Sequence, residues 1–295
     1  MQHIPDAAPL IARAGENIWR LAKLQILTCL GLSGVVLILG QIPQIRARLV
    51  VNGPVATLLR MLRATLPLLL LIVFHQTIPL WQRVVGMPEA DAAIIRLDTW
   101  LFGGVNPNLW LEHLISRPMT EYMWAAYLSW FIAFQGTIYV LVLCRSEAEW
   151  NDMVLATVLT LIAGYIGYVI VPAVGPVHAL KFTLDLGGGP VGAVTNRVVD
   201  QFGIWRDAFP SIHAAISMLL MVYAWRYLRR WAVPYTVLGV SILLSTVYLR
   251  WHYVTDVVAG ITLALLSAWL APRLLRRRVP VPQYVEQPHV AVSME

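Results

Sequence analysis

Two short clusters in the C-terminal half of the chain hold residue types that could do chemistry together. In Ser245-Thr246-Val247-Tyr248-Leu249-Arg250-Trp251-His252-Tyr253-Val254-Thr255-Asp256 a histidine and an aspartate stand four positions apart. On a helix they share a face, and the carboxylate can accept the proton of one imidazole nitrogen. That fixes the tautomer and frees the other nitrogen as a nucleophile. The same spacing also suits a metal-binding pair or a polar contact that glues helices together. In Phe209-Pro210-Ser211-Ile212-His213-Ala214-Ala215 a hydroxyl and an imidazole fall on the first turn of an expected helix. Unpaired backbone N–H groups and the helix dipole favour a phosphate there, although a plain interfacial histidine fits that place equally well.

The elements that must position these clusters are membrane spans. With 58% hydrophobic and 13% charged residues and a mean hydropathy of +0.67, the composition is not that of a soluble protein. An ionised side chain in hydrocarbon costs a few kcal/mol or more, so spans show as gaps between charges. Such gaps lie between Lys23 and Arg46, Arg63 and Arg83, Glu121 and Arg145, Asp152 and Lys181, Asp207 and Arg226, and Arg230 and Arg250. A further stretch, Trp251 to Pro272, holds only Asp256. Each is about the ~20 residues that cross a bilayer. The expected fold is an all-α, polytopic bundle of six core spans plus an extra N-terminal span. Residues 1–52 form an interfacial segment and that span, 53–276 the membrane domain, and 277–295 a solvated, disordered cytoplasmic tail.

Arg46, Arg48, Arg60 and Arg63, then Arg226, Arg229 and Arg230, then Arg273 and Arg276 to Arg278 fill three short connections. The positive-inside rule places all three in the cytoplasm, and with them the C-terminus. Arg13, Arg20 and Lys23 go against the rule, unless residues 8–23 are an interfacial helix and the first span is re-entrant. This orientation brings His213, Arg250 and His252 to the same, extracytoplasmic face. Two long connections, 83–121 and 181–207, elaborate that face. In the first, Trp100-Leu101-Phe102 and Trp110-Leu111 are expected to lie along the membrane surface. Pro172, Pro176 and Gly187-Gly188-Gly189-Pro190 mark the second as irregular.

Asp6 and Glu16 do not fit the basic start of a cleaved signal peptide. Cys29 and Cys144 are too few for a disulfide framework or a multi-cysteine metal site. The net charge of +6 sits at span ends rather than on one soluble face, so a nucleic-acid partner is not expected. Trp81, Trp150, Trp225, Trp231, Trp251 and Trp269 read as interfacial anchors, and His75 as a mid-span, hydrogen-bonded helix contact.

On these residues the chain resembles the type 2 phosphatidic acid phosphatase superfamily. There, Pro-Ser-Gly-His and Ser-Arg-x5-His-x3-Asp motifs flank two consecutive membrane helices. The counterparts here are Pro210-Ser211-Ile212-His213 and Ser245-Thr246-x5-His252-x3-Asp256, with Val-Val-Ala-Gly following at 257–260. The resemblance implies that His252 attacks phosphorus, Asp256 holds His252, His213 protonates the departing oxygen and Ser211 binds a phosphate oxygen. It implies no metal and no cofactor.

The departures carry information too. Thr246 replaces the usual Arg, Ile212 the usual Gly, and the Lys-x6-Arg-Pro motif is missing, with Trp110 standing where the Lys should precede Arg117-Pro118. Phosphate charge must then be neutralised by other residues, Arg250 first and Arg206 next. Phe-Pro-Ser-x-His-Ala-Ala, Ser-Thr-Val-Tyr and His-Tyr-x-x-Asp, with Asp98-Thr99-Trp100-Leu101-Phe102-Gly103 and Pro107 ahead of them, are similar to the branch containing inositol phosphorylceramide synthases. That resemblance implies headgroup transfer between lipid and alcohol through a phosphohistidine, in a bacterial cytoplasmic membrane, with a phospholipid or isoprenoid phosphate as substrate. Hydrolysis of a lipid phosphate is the alternative within enzymes, and a transporter or scaffold the alternative outside them.

Overall fold

The computed structural model describes Glu16 and residues 53–204 and 206–278. The expected N-terminal span and interfacial segment, Cys29 and residues 279–295 lie outside the described residues. Within them the chain is helical and shows no strand.

The helices are α1 (Pro54–His75), α2 (Ile78–Val85), α3 (Asp91–Leu101), α4 (Pro107–Trp110), α5 (Arg117–Cys144) and α6 (Glu147–Ile170). After them come α7 (Pro176–Ala179), α8 (Pro190–Phe202), α9 (Ile212–Tyr227), α10 (Ala232–Tyr248) and α11 (Val254–Arg278). Because α11 runs to Arg278, the first two residues of the expected tail are helical.

Among the described residues, five helices are long and apolar enough to cross a membrane: α1, α5, α6, α10 with the 3₁₀ turn before it, and α11. The charge gap between Asp207 and Arg226 also folds as a helix, α9, but at 16 residues it is shorter than these. It packs against α5, α6, α10 and α11 at the centre of the bundle. Ile216, Leu219, Leu220 and Tyr223 of α9 are buried there, and Ala264, Ala268 and Ala271 of α11 keep that interface thin enough for close helix approach. Outward faces are apolar as well. On α1, Leu58, Leu62, Leu66 and Leu70 point out at four-residue spacing while Met61, Thr65 and Leu68 point in. A helix apolar on both faces suits hydrocarbon on one side and protein on the other.

Ionisable groups gather at the two ends of the bundle. At one end Arg63 Nη1 lies 2.7 Å from Glu147 Oε1. There the buried Asp152 accepts from the hydroxyls of Tyr223 (2.8 Å) and Tyr227 (2.6 Å). Ser146 and Glu149 close a capping box at the start of α6, which satisfies donors that the helix leaves open. The other end carries His75, His213 and His252.

Three expectations change. His75 is not mid-span; it is the last residue of α1. Trp150 is buried, at 2% exposure, and Trp251 packs against Trp124 and Tyr127, whereas Trp81, Trp225, Trp231 and Trp269 are exposed as anchors should be. The connection between α2 and α5 does expose Leu97, Trp100, Leu101 and Trp110, yet its polar residues Asp91, Asp98 and Asn108 are buried. It is a clamp as well as a surface strip.

Candidate active site

The turn between α10 and α11 sets the geometry. After Tyr248 the chain reverses with Arg250 at φ +68°, and the N–H groups of Trp251 and His252 both donate to the Thr246 carbonyl (3.0 and 3.1 Å). His252 therefore precedes α11 rather than lying on it, because α11 begins at Val254. The shared helix face expected for His252 and Asp256 does not exist. The turn itself folds the imidazole back, with Nδ1 3.5 Å from Asp256 Oδ2.

A nearer partner is the Ala208 carbonyl, 2.8 Å from His252 Nδ1. A carbonyl oxygen only accepts, so this bond assigns the proton to Nδ1 and leaves the lone pair on Nε2. Asp256 is wholly buried. Its Oδ2 accepts from the Tyr253 N–H at 2.9 Å, and its Oδ1 has no hydrogen-bond partner among the described residues.

His213 sits on the first turn of α9, its ring centroid 5.9 Å from that of His252. Tyr127 stacks on it at 4.6 Å and Trp130 leans on it at 4.5 Å, both from α5. Its Nε2 is buried with no partner among the described residues. Ser211 caps α9 by accepting from the Ala214 N–H at 3.2 Å, which leaves its own hydroxyl proton available as a donor. The Ser211 N–H donates to the Asp256 carbonyl at 3.0 Å, tying the start of α9 to the first turn of α11. That approach requires Gly260, since a Cβ there would stand 2.2 Å from the Ser211 carbonyl oxygen.

Each of the two arginines expected to bind phosphate lies against a carboxylate. Arg250 Nη2 lies 3.1 Å from Glu112 Oε1 and donates to the Leu184 carbonyl at 2.7 Å, with its guanidinium 3.8 Å over the Phe182 ring. Burial pulls its pKa down and Glu112 opposes that. Glu112 in turn accepts from the Thr183 and Leu184 N–H groups (3.0 and 2.9 Å) and the Thr183 hydroxyl. The Leu184 N–H is the main reason its carboxyl is held below the usual carboxylate range. Arg206, at φ +74°, pairs with Glu89 at 2.8 Å. The site thus brings together His213, His252, Asp256 and Ser211, and ties Arg250 and Arg206 to carboxylates.

Four polar residues missed by sequence reasoning hold this arrangement from outside. Asp98 accepts from the N–H groups of Val254 (2.8 Å) and Thr255 (2.9 Å) and from the Thr255 hydroxyl, so a carboxylate from α3 caps α11. Asn108 donates to the carbonyls of Val247 (3.0 Å) and His252 (3.1 Å). Asp91 accepts from the N–H groups of Val174 and Gly175 and from the Tyr253 hydroxyl; burial raises the pKa of that hydroxyl. Glu112 is the fourth. Gly175, at φ +85°, lies so close to Trp251 that a Cβ would meet its carbonyl oxygen at 2.6 Å. The signal available in the sequence was Asp98, first residue of the Asp-x-x-Leu-Phe-Gly stretch, but two of its three donors are backbone N–H groups that no residue type marks. Among the described residues there is no cluster of three or more His, Cys, Asp or Glu in metal-binding geometry.

Comparison with known proteins matches residues 92–270, more than half of the chain, to the family model of the PAP2 superfamily. A PA-phosphatase related-family protein of Dictyostelium discoideum is 26% identical over 163 residues, which cover 52% of this chain and 26% of that protein. A phosphoinositol dihydroceramide synthase of Bacteroides thetaiotaomicron is 33% identical over 125 residues, 36% of this chain and 40% of that protein. The chain thus spans about a quarter and two fifths of the lengths of these two curated relatives. No solved structure matches it.

Proposed function

Because this chain belongs to the PAP2 superfamily, we propose that it transfers a phosphoryl group or a phospho-headgroup from a membrane lipid to an alcohol through a phosphohistidine at His252. Nε2 of His252 attacks phosphorus, the P–N bond forms as the bond to the departing oxygen breaks, and His213 supplies the proton that oxygen needs. In the second step His213 takes the proton of the incoming alcohol, whose oxygen displaces His252. Each proton given in the first step is recovered in the second. Asp256, 3.5 Å from Nδ1, stabilises the positive imidazole of the intermediate. The Ser211 hydroxyl and the open N–H groups of the first turn of α9 hold phosphoryl oxygens.

The observation that carries this reading is the meeting of two imidazoles at 5.9 Å, one of them with its Nδ1 proton committed to Ala208. α9 serves as the sixth core crossing, and the site opens on the extracytoplasmic face. Transfer is favoured over hydrolysis of a phosphomonoester by charge. Arg206 and Arg250 are already paired with glutamates, and two cations so engaged suit a singly charged phosphodiester better than a doubly charged monoester. The relative named as a phosphoinositol dihydroceramide synthase supports the same choice. Release of inorganic phosphate is the second reading, favoured by the relative named a PA-phosphatase related-family protein.

The test is to reconstitute the full chain in liposomes with phosphodiester lipids, phosphatidate or isoprenoid diphosphate, add a panel of alcohols, and identify products by mass spectrometry. Transfer predicts a phosphodiester donor converted to a new phosphoester of the alcohol. Inorganic phosphate as the sole product would establish the second reading, and turnover by no donor would refute both.

A further inference from the structure

His75 and Asp207 lie outside the set of residues that the chemistry above uses, yet they meet beside it. Nε2 of His75 is 3.6 Å from Asp207 Oδ2. The Gln76 side-chain amide is 3.3 Å from His75 Nδ1, and since an amide nitrogen only donates, the proton of the neutral imidazole belongs on Nε2, facing Asp207. The ring is boxed by Tyr165 and Tyr168 of α6, at 5.3 and 6.1 Å. It is therefore held in one orientation, and its polar edge is aimed at a single carboxylate.

What Asp207 carries is the reason this matters. The next residue is Ala208, whose carbonyl accepts from His252 Nδ1. The segment Arg206-Asp207-Ala208 is otherwise exposed to relaxation, because Arg206 occupies the left-handed region, which a non-glycine residue adopts only under strain. Hydrogen bonds pin it on either side of Asp207. The Gln82 side chain of α2 donates to the Arg206 carbonyl at 2.8 Å and also to the Tyr168 carbonyl. The Ala208 N–H donates to the Ala173 carbonyl at 3.0 Å. Nε2 of His75 faces the carboxylate of the residue between, at 3.6 Å. Both His75 and Gln82 precede the family match, which begins at residue 92.

We propose that His75 is a positioning residue: through Asp207 it holds the strained 206–208 segment so that the Ala208 carbonyl keeps the proton of His252 on Nδ1. The inference rests on the phosphohistidine reading for its catalytic consequence, but the tautomer it predicts exists whether or not that reading is right. Loss of the pair frees Ala208 to drift and lets the proton of His252 distribute between both nitrogens, so fewer molecules present an Nε2 lone pair to the substrate. Donor binding, which does not involve this side of the ring, is unaffected.

The experiment uses the full chain in liposomes. His75→Ala, the near-isosteric Asp207→Asn and the double variant are compared with the unaltered protein by steady-state kinetics. The ¹⁵N shifts of labelled histidine are also compared, with the His252 resonance identified by its loss in His252→Gln. The expected result is a fall in kcat of about tenfold in each variant with KM for the donor unchanged. The double variant should be no worse than either single one, and His252 should show a mixture of tautomers. An unchanged His252 tautomer, a change confined to KM, or effects that add in the double variant would overturn the inference. Absence of any His252-dependent turnover in the unaltered protein would instead refute the phosphohistidine reading, and the ¹⁵N comparison would still decide the role of His75.

Discussion

His252 is held more closely by Ala208 than by Asp256: Nδ1 lies 2.8 Å from the carbonyl oxygen of the one and 3.5 Å from the carboxylate of the other. Two jobs usually given to one carboxylate, setting the tautomer and balancing the positive imidazole, are thereby divided between a backbone group and a side chain.

Asp256→Asn separates the two jobs. Where a carboxylate alone sets the tautomer, its amide replacement costs about 10⁴-fold in kcat. Here the Ala208 carbonyl still accepts the Nδ1 proton, so only charge stabilisation is lost. The expected fall is about 10²-fold, measured as kcat at saturating donor.

Glu112→Gln should behave like Arg250→Ala. The two form a clamp that ties the turn before His252 to residues 182–184, and removing either charge leaves the other, largely out of solvent, without its opposite charge. Both variants should lose several degrees of melting temperature in detergent, with KM for the donor little changed. An Arg250 that bound phosphate would instead raise KM in Arg250→Ala and leave Glu112→Gln active. The clamp also has a pH signature. The carboxyl of Glu112 is depressed below its ordinary 4.5 by its hydrogen bonds, so its contribution to stability is full above that value and is lost as pH falls through the lower, folded-state value. Melting temperature attributable to this pair should be flat from about pH 5 upward and decline only on further acidification.

Gly260→Ala places a methyl group where the Ser211 carbonyl oxygen stands, 2.2 Å away and part of a backbone that cannot swing aside. Forcing α11 from the start of α9 should lower kcat about tenfold or more while the protein still inserts. Gly136→Ala is the control: nothing lies within 4 Å of its Cβ, and in a helix interior it should be neutral or slightly stabilising.

The aromatic walls of His213 predict a contrast between two neighbours. Trp130→Leu removes a face that leans on the imidazole at 4.5 Å and should cut kcat about tenfold by loosening the proton donor. Tyr127→Phe keeps the stacked ring, and activity should remain within about twofold, because the stack needs only the ring face.

Much of the site is legible in the sequence because hydrocarbon writes simple rules. Charge gaps locate α5, α6, α9, α10 and α11, and their alternation brings His213 and His252 to one face, where the rings do meet. Ser211, expected on the first turn, is instead the residue that caps α9. The geometry of His252 and Asp256 is less legible: spacing suggests a shared helix face, whereas the positive φ of Arg250 ends the helical path and a turn makes the contact. Arg206 and Arg250 read as free cations because nothing in their own neighbourhoods shows that Glu89 and Glu112, more than a hundred residues away in the chain, lie against them. Asp91, Asp98 and Asn108 are invisible for a similar reason. Most of their partners are N–H and C=O groups, which every residue has. His75 reads as mid-span because its charge gap runs on to Arg83, but that gap holds two helices, α1 and α2, with His75 at the end of the first.

The most direct measurement is to trap the intermediate. Protein in liposomes is given a donor labelled with ³²P, quenched in alkali within one turnover and digested, and the labelled peptide is sequenced. Label is expected on His252, stable to base and labile to acid, absent from His252→Ala and chased off by an added alcohol. Label on another residue, or undiminished turnover in His252→Ala, would contradict a phosphohistidine at His252.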